Sequence, residues 1–94
     1  MKINSIRRCL SVFEKNGDKY LGDISFEKVP SLHILKDLFE VEEDSVDGGM
    51  YDDYFVTEKE IRGLQSFCKE NLDIAKYDYF LTCYGEYERD GKND

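Results

Sequence analysis

The spacing of apolar and polar positions changes several times along this chain, and each change marks an element. Ile6 to Lys15 and Lys19 to Phe26 are two apolar-rich runs separated by Asn16-Gly17-Asp18. Asn-Gly is the dipeptide that tight hairpins favour because it tolerates positive φ, so the pattern predicts a β-hairpin. In the first run Cys9, Ser11 and Phe13 share one face and Leu10, Val12 and Glu14 the other. Neither face is cleanly polar, which fits an inner strand or a sheet partly covered on both sides. The second run places Tyr20, Gly22, Ile24 and Phe26 on one side. Pro30-Ser31 then offers a stop and an N-cap. Leu32, Ile34, Leu35, Leu38 and Phe39 follow at helical spacing, predicting an amphipathic helix of about nine residues.

From Val41 to Gly49 the chain is acidic and then Gly-rich, a loop by composition, and Met50 to Val56 reads as a third strand of β-prone Tyr, Phe and Val. Thr57-Glu58-Lys59-Glu60 spells a capping box that opens a second helix with the stripe Ile61, Leu64, Phe67, Cys68 and Leu72, stopping near Asn71. Tyr77 to Tyr84 is a fourth, aromatic-rich strand, and most of its rings read as sheet packing. The order ββαβαβ predicts an α+β fold, a two-layer sandwich with two helices on one face of a largely antiparallel four-stranded sheet. Residues 1–85 form one domain in this reading, and 86–94 a polar tail that frays. Asp52, Asp53 and Asp78, within strand-like runs, are candidates for blunting an edge.

Charge changes this picture more than composition does. Ten of the 21 carboxylates lie between Asp37 and Glu60, with Lys59 the one base among them, a formal charge of −9. Twelve bases and eleven acids elsewhere sum to +1, so the net −8 is almost wholly local. Aromatic residues sit inside the same stretch, in Met50-Tyr51-Asp52-Asp53-Tyr54-Phe55, whereas a merely solvating acidic tail would have few. Tyr among carboxylates suits a surface that meets a basic protein partner. The candidate contact residues are Glu42, Glu43, Asp44, Asp47, Tyr51, Asp52, Asp53 and Tyr54. The acidic balance argues against nucleic acid as a direct ligand, since Arg7 and Arg8 alone supply no phosphate-binding cluster.

The remaining chemistry is sparse. Aligned as an EF-hand, Glu43, Ser45, Asp47 and Gly48 put Tyr54 where the closing bidentate Glu belongs, so the calcium pattern fails at its most important ligand. A looser oxygen cluster of Asp44, Asp47, Asp52 and Asp53 is weaker than the plain solvated loop as a reading. No metal and no cofactor is expected. His33 is the one histidine, on a helix between Leu32 and Ile34, without a nucleophile or orienting group in sight. Asp52 and Asp53, as strand neighbours, would point to opposite faces and form no acid–base dyad. Gly48-Gly49 among acids would repel phosphate. No enzyme is expected. Cys9, Cys68 and Cys83 are odd in number and without a C-x-x-C pair, which reads as reduced thiols. Basic residues near the N-terminus precede no apolar h-region, and no run reaches the ~18 residues of a membrane span. The expectation is a cytoplasmic protein without a membrane partner. Six Phe, seven Tyr and 40% hydrophobic residues in 94 suffice for one modest core, which in a domain of this size buries roughly 60 to 65% of the unfolded chain's surface.

Leu72-Asp73 followed by Tyr77-Asp78-Tyr79-Phe80-Leu81 and Cys83, with Tyr20-Leu21-Gly22-Asp23-Ile24, Met50-Tyr51-Asp52 and Val56-Thr57, resembles a family of small, uncharacterised bacterial domains. The similarity spans about Val12 to Cys83 and is most specific in the last strand, with Tyr-Asp-Tyr-Phe-Leu-x-Cys. That family brings no catalytic residues to carry over. In size, acidity and build the chain also looks like the immunity proteins of bacterial toxin systems, including contact-dependent growth inhibition. This resemblance implies a cytoplasmic inhibitor that binds a basic toxin domain, a nuclease in the leading reading. A generic acidic interaction or regulatory module, or a homodimer, is the alternative.

Overall fold

β1 (Ile3–Glu14) lies at the centre of the molecule, antiparallel to β2 (Tyr20–Ser25) on one side and to β4 (Tyr77–Tyr87) on the other. β3 (Tyr54–Phe55) adds to the outer side of β4, giving a four-stranded antiparallel sheet in the order β2-β1-β4-β3. The computed structural model describes residues 3–17, 19–42 and 44–87, with side chains from 6 to 85. The α+β expectation holds, and the mixed polarity of both faces of β1 agrees with its inner position.

Period-two alternation divides the sheet into two unlike faces. Leu10, Val12, Ile24, Tyr79 and Leu81 turn to one side, where α1 (Leu32–Phe39) and α2 (Glu58–Leu64) cover them. Leu35 and Leu64 are fully buried there with Val56 and Met50, and Leu38, Ile61 and Phe67 pack around them. α1 starts where expected. The Ser31 hydroxyl accepts from the Ile34 amide at 3.2 Å, and the helix ends with Glu40 in left-handed geometry (φ 57°) and the Val41 amide on the Lys36 carbonyl at 2.8 Å. At α2 the Thr57 amide donates to Glu60 Oε1 at 2.7 Å and the Thr57 hydroxyl donates to the same carboxylate, so the buried Glu60 is hydrogen-bonded. A Cβ on Gly63 would lie 2.7 Å from Leu38 Cδ1, so the glycine is what lets the two helices approach this closely.

Several local expectations are corrected. The hairpin turn is wider than an Asn-Gly pair: the Glu14 amide bonds the Lys19 carbonyl at 3.0 Å, with Asn16 at φ 58° inside. Tyr20 does not share a face with Gly22 and Ile24. Val12 pairs Gly22 while Phe13 pairs Tyr20, so Leu21 is an extra residue, a β-bulge at which Gly22 adopts φ 138° and Tyr20 crosses to the other face. The third strand is only Tyr54–Phe55: Met50 at φ 54° turns into the core, and Tyr51, Asp52 and Asp53 stay out of the ladder.

The second helix leaves α geometry at Leu64, passes through a 3₁₀ turn (Gln65–Phe67) and becomes extended at Cys68. Other partners take over its backbone groups. The Gln65 side chain bonds the Leu72 amide and the Glu70 carbonyl, and the Phe67 carbonyl accepts from Glu27 and Lys28. Asp78 lies on β4 opposite Phe13, ion-paired to Lys15 at 3.1 Å and accepting from the Asn16 amide. Of the residues expected to form a tail, Glu86 and Tyr87 belong to β4, and 88–94 lie outside the described residues. Among the described residues no helix is long and apolar enough to cross a membrane.

Because Leu64 is fully enclosed by both helices and the sheet, Leu64→Ala should cost about 2 to 5 kcal/mol in a denaturant titration. A loss below about 0.5 kcal/mol would contradict the burial on which this packing rests.

Candidate functional site

The acidic segment between α1 and β3 is a built loop and not a solvated tether. Its turns close through the Ser45 amide on Glu42, Gly48 on Ser45 and Met50 on Asp47. Asp47 is the hub. One carboxylate oxygen accepts the Tyr51 amide at 2.9 Å, and the other accepts the Asp52 amide at 3.0 Å and the Tyr54 hydroxyl at 2.6 Å. Arg8, far away in sequence, reaches under the loop from β1 and donates to the Gly49 carbonyl at 2.6 Å. The Tyr54 hydroxyl, the Asp52 and Tyr51 amides and the Arg8 charge together hold the Asp47 carboxyl below its ordinary 3.8. Burial, and then the bond to Asp47, push the Tyr54 phenol up to about 12.

This geometry separates the candidate contact residues into two groups. Asp47 and Tyr54 face inward and hold the loop, the Tyr54 ring resting on Phe39 with centroids 5.7 Å apart. Glu42, Asp44, Tyr51, Asp52 and Asp53 are exposed, and Glu43 lies outside the described residues. Asp52 and Asp53 precede the strand instead of sitting in it, so the alternation argument does not apply to them. The Tyr51 ring lies over Gly49, where a Cβ would come within 2.3 Å of it. The ion pairs among the described residues, Lys15–Asp78, Lys59–Glu40 and Arg62–Glu58, use none of the four exposed loop carboxylates.

Beside the loop lies the sheet face that no helix covers. Phe55, Phe80, Phe13 and Tyr20 form a continuous aromatic row across all four strands, with successive centroids 5.3, 5.5 and 5.6 Å apart. Tyr20 and Phe55 are half exposed at its two ends. Next to the row is an open concavity of about 400 Å³, floored by Ser11 and Thr82 and walled by Phe13, Tyr20, Phe80 and Tyr84, with Asp53 of the acidic loop at its rim. The Ser11 and Thr82 hydroxyls are buried and 2.8 Å apart. Ser11 donates to Asp23 at 3.1 Å, and the Tyr84 hydroxyl donates to the same carboxylate at 3.2 Å. Hydrogen bonding to Asp23 leads the causes that raise the Tyr20 phenol to about 12. The sequence reading missed this face for two reasons: Tyr20 reaches it only through the bulge, and Asp23 meets Tyr84 only through the fold.

His33 is exposed on α1, and among the described residues no three His, Cys, Asp or Glu side chains cluster as metal ligands. All three cysteines are free. Burial and then Glu70 raise the Cys68 thiol to about 11, and burial followed by Asp23 raises that of Cys9, so both stay protonated at neutral pH and are poor nucleophiles.

Residues 7–82 match a family described as a domain of unknown function, DUF7683. No curated protein and no solved structure matches the chain.

The Asp47 hub can be tested by titration. A carboxyl held low in the fold adds stability that is present above its unfolded value and lost as pH falls through the folded one. Tyr54→Phe removes the largest cause of the shift, so the Asp47 midpoint followed by carboxylate NMR should rise toward the ordinary range, and the acid limb of stability should move up in pH with it. An unchanged midpoint would show that the hydroxyl does not hold Asp47.

Proposed function

We propose that this chain, which belongs to the DUF7683 family of domains of unknown function, is a binding protein for a basic protein partner, and that it acts as the cytoplasmic immunity protein of a bacterial toxin. The observation that carries the reading is the built acidic loop. Asp47 and Arg8 use their own bonding capacity to hold a backbone that displays Glu42, Asp44, Asp52 and Asp53 beside the exposed Tyr51 ring, with none of these carboxylates in an ion pair among the described residues. Carboxylates held close together repel one another unless a cation meets them, so such a display costs stability in the isolated protein and favours binding to a positive surface.

A nuclease toxin supplies such a surface. It must present Lys and Arg to phosphates, and an inhibitor carrying clustered carboxylates occupies the same field and associates quickly by electrostatic steering. In this scheme the exposed carboxylates set the on-rate, and Tyr51 is the anchor whose burial slows release. Because the loop is already ordered, little entropy is lost in forming the complex.

On this reading a toxin gene should lie beside the gene for this chain, and the toxin domain, purified together with the chain, should form a stoichiometric complex with it and lose its activity. Changing Asp52 and Asp53 together to Lys inverts the local field. Association should then slow by about tenfold or more at low salt and far less at ~1 M salt, where the screening length is about 3 Å. A folded double variant that associates at the original rate across that salt range would remove the loop as the recognition surface.

A further inference from the structure

We propose that the concavity on the helix-free sheet face is a receptor for an arginine side chain carried by the basic partner, its guanidinium lying on the aromatic row above the Ser11–Thr82 floor. The inference rests on the partner reading above but places recognition on a surface distinct from the loop apex. The direction of the hydroxyl protons is its basis. Ser11 donates to Asp23, and the Thr82 hydroxyl has the Ser11 oxygen at 2.8 Å and the Phe80 carbonyl at 3.5 Å to donate to, so both protons are engaged within the protein. Tyr84 also points its proton at Asp23. Hydroxyl donors thus converge on one carboxylate, and what they leave toward the concavity is oxygen lone pairs. A group entering there meets acceptors and ring faces, with the Asp53 carboxylate at the rim.

That lining matches one class of side chain. A guanidinium has five donors, no acceptor and a fixed charge, and it stacks on aromatic faces. This sheet face already shows the preference, since the Arg7 guanidinium lies 5.0 Å from the centroid of Tyr84. Among the described residues no cation lies over Phe13, Tyr20, Phe55 or Phe80. A phosphate or carboxylate would face lone pairs and the Asp53 carboxylate at the rim. A second copy would bring another net −8 against the same face. Charge complementarity therefore selects a basic segment, and the concavity's continuity with the acidic loop through Asp53 lets one partner engage both.

The probe is an octapeptide of alternating glycine and arginine, titrated into the ¹⁵N-labelled chain, with the glutamate counterpart as control. Amide shifts should centre on Phe13, Phe80, Thr82 and Tyr84, and the glutamate peptide should produce none. Tyr20→Ala combined with Thr82→Val removes one wall and one acceptor without touching the loop, and should weaken the arginine peptide about tenfold. Glu27→Gln, which removes an exposed carboxylate elsewhere, should change it less than about twofold. Shifts confined to residues 44–52 would overturn this inference and leave the loop reading standing, and so would unaltered affinity in the folded double variant. Self-association that buries the same rings would overturn it by assigning the face to a second copy. No shift anywhere at millimolar peptide would overturn both readings.

Discussion

Two short helices can cover one face of a four-stranded sheet and no more, and that shortage governs the molecule. α1 and α2 together have fifteen residues, and their contacts with the sheet bury Leu10, Tyr79 and Leu81 on one side only. The other side must be tolerable to water while carrying strands whose central members need stiff, β-prone residues. Its solution is aromatic rings packed edge to face on one another, with hydroxyls and a carboxylate bonding among them. Each ring keeps part of its surface exposed and shares the rest with its neighbour.

The same shortage explains how loops are recruited into the core. Met50 and Cys68, both outside helix and strand, fill volume between the helices and the sheet, and Val56 adds to it beside the short β3. Met50 can do so only because the acidic loop is held in place, by Asp47 accepting three bonds above it and Arg8 bonding Gly49 from below. The loop's charge display and the core's packing are therefore coupled. A substitution at Asp47 or Arg8 reaches both, whereas one at Asp44 or Asp52 meets solvent.

The proposed function rests on what the fold leaves uncovered. The exposed carboxylates of the loop and the aromatic concavity meet at Asp53, giving one continuous surface with negative charge and apolar area together. Charge alone would steer a basic partner without holding it, and rings alone would hold many partners without choosing. Placed side by side, they match the basic partner proposed above.

Much of the architecture was readable in the order of residues. Alternation in Ile6 to Lys15, the Ser31 cap and the Thr57–Glu60 box each express local backbone physics, and they predicted the hairpin, both helix starts and the apolar stripe of Leu35, Leu38, Ile61 and Leu64. The concentration of carboxylates between Asp37 and Glu60 was likewise a property of sequence alone. Tertiary structure decided where those charges stand and which of them remain free. Tyr54 reads in sequence like Tyr51, yet one phenol is drawn inward by Asp47 and Phe39 while the other stays outside over Gly49. Arg8 gave no sign of its task because its partner is 41 residues away. The bulge at Leu21 inverted the side of Tyr20, since one extra residue shifts a period of two, and neighbouring strands alone determine where that residue is accommodated. Local propensities act over a few residues and are written in the order of the chain, whereas pairing across the sheet depends on contacts that exist only once the chain has folded.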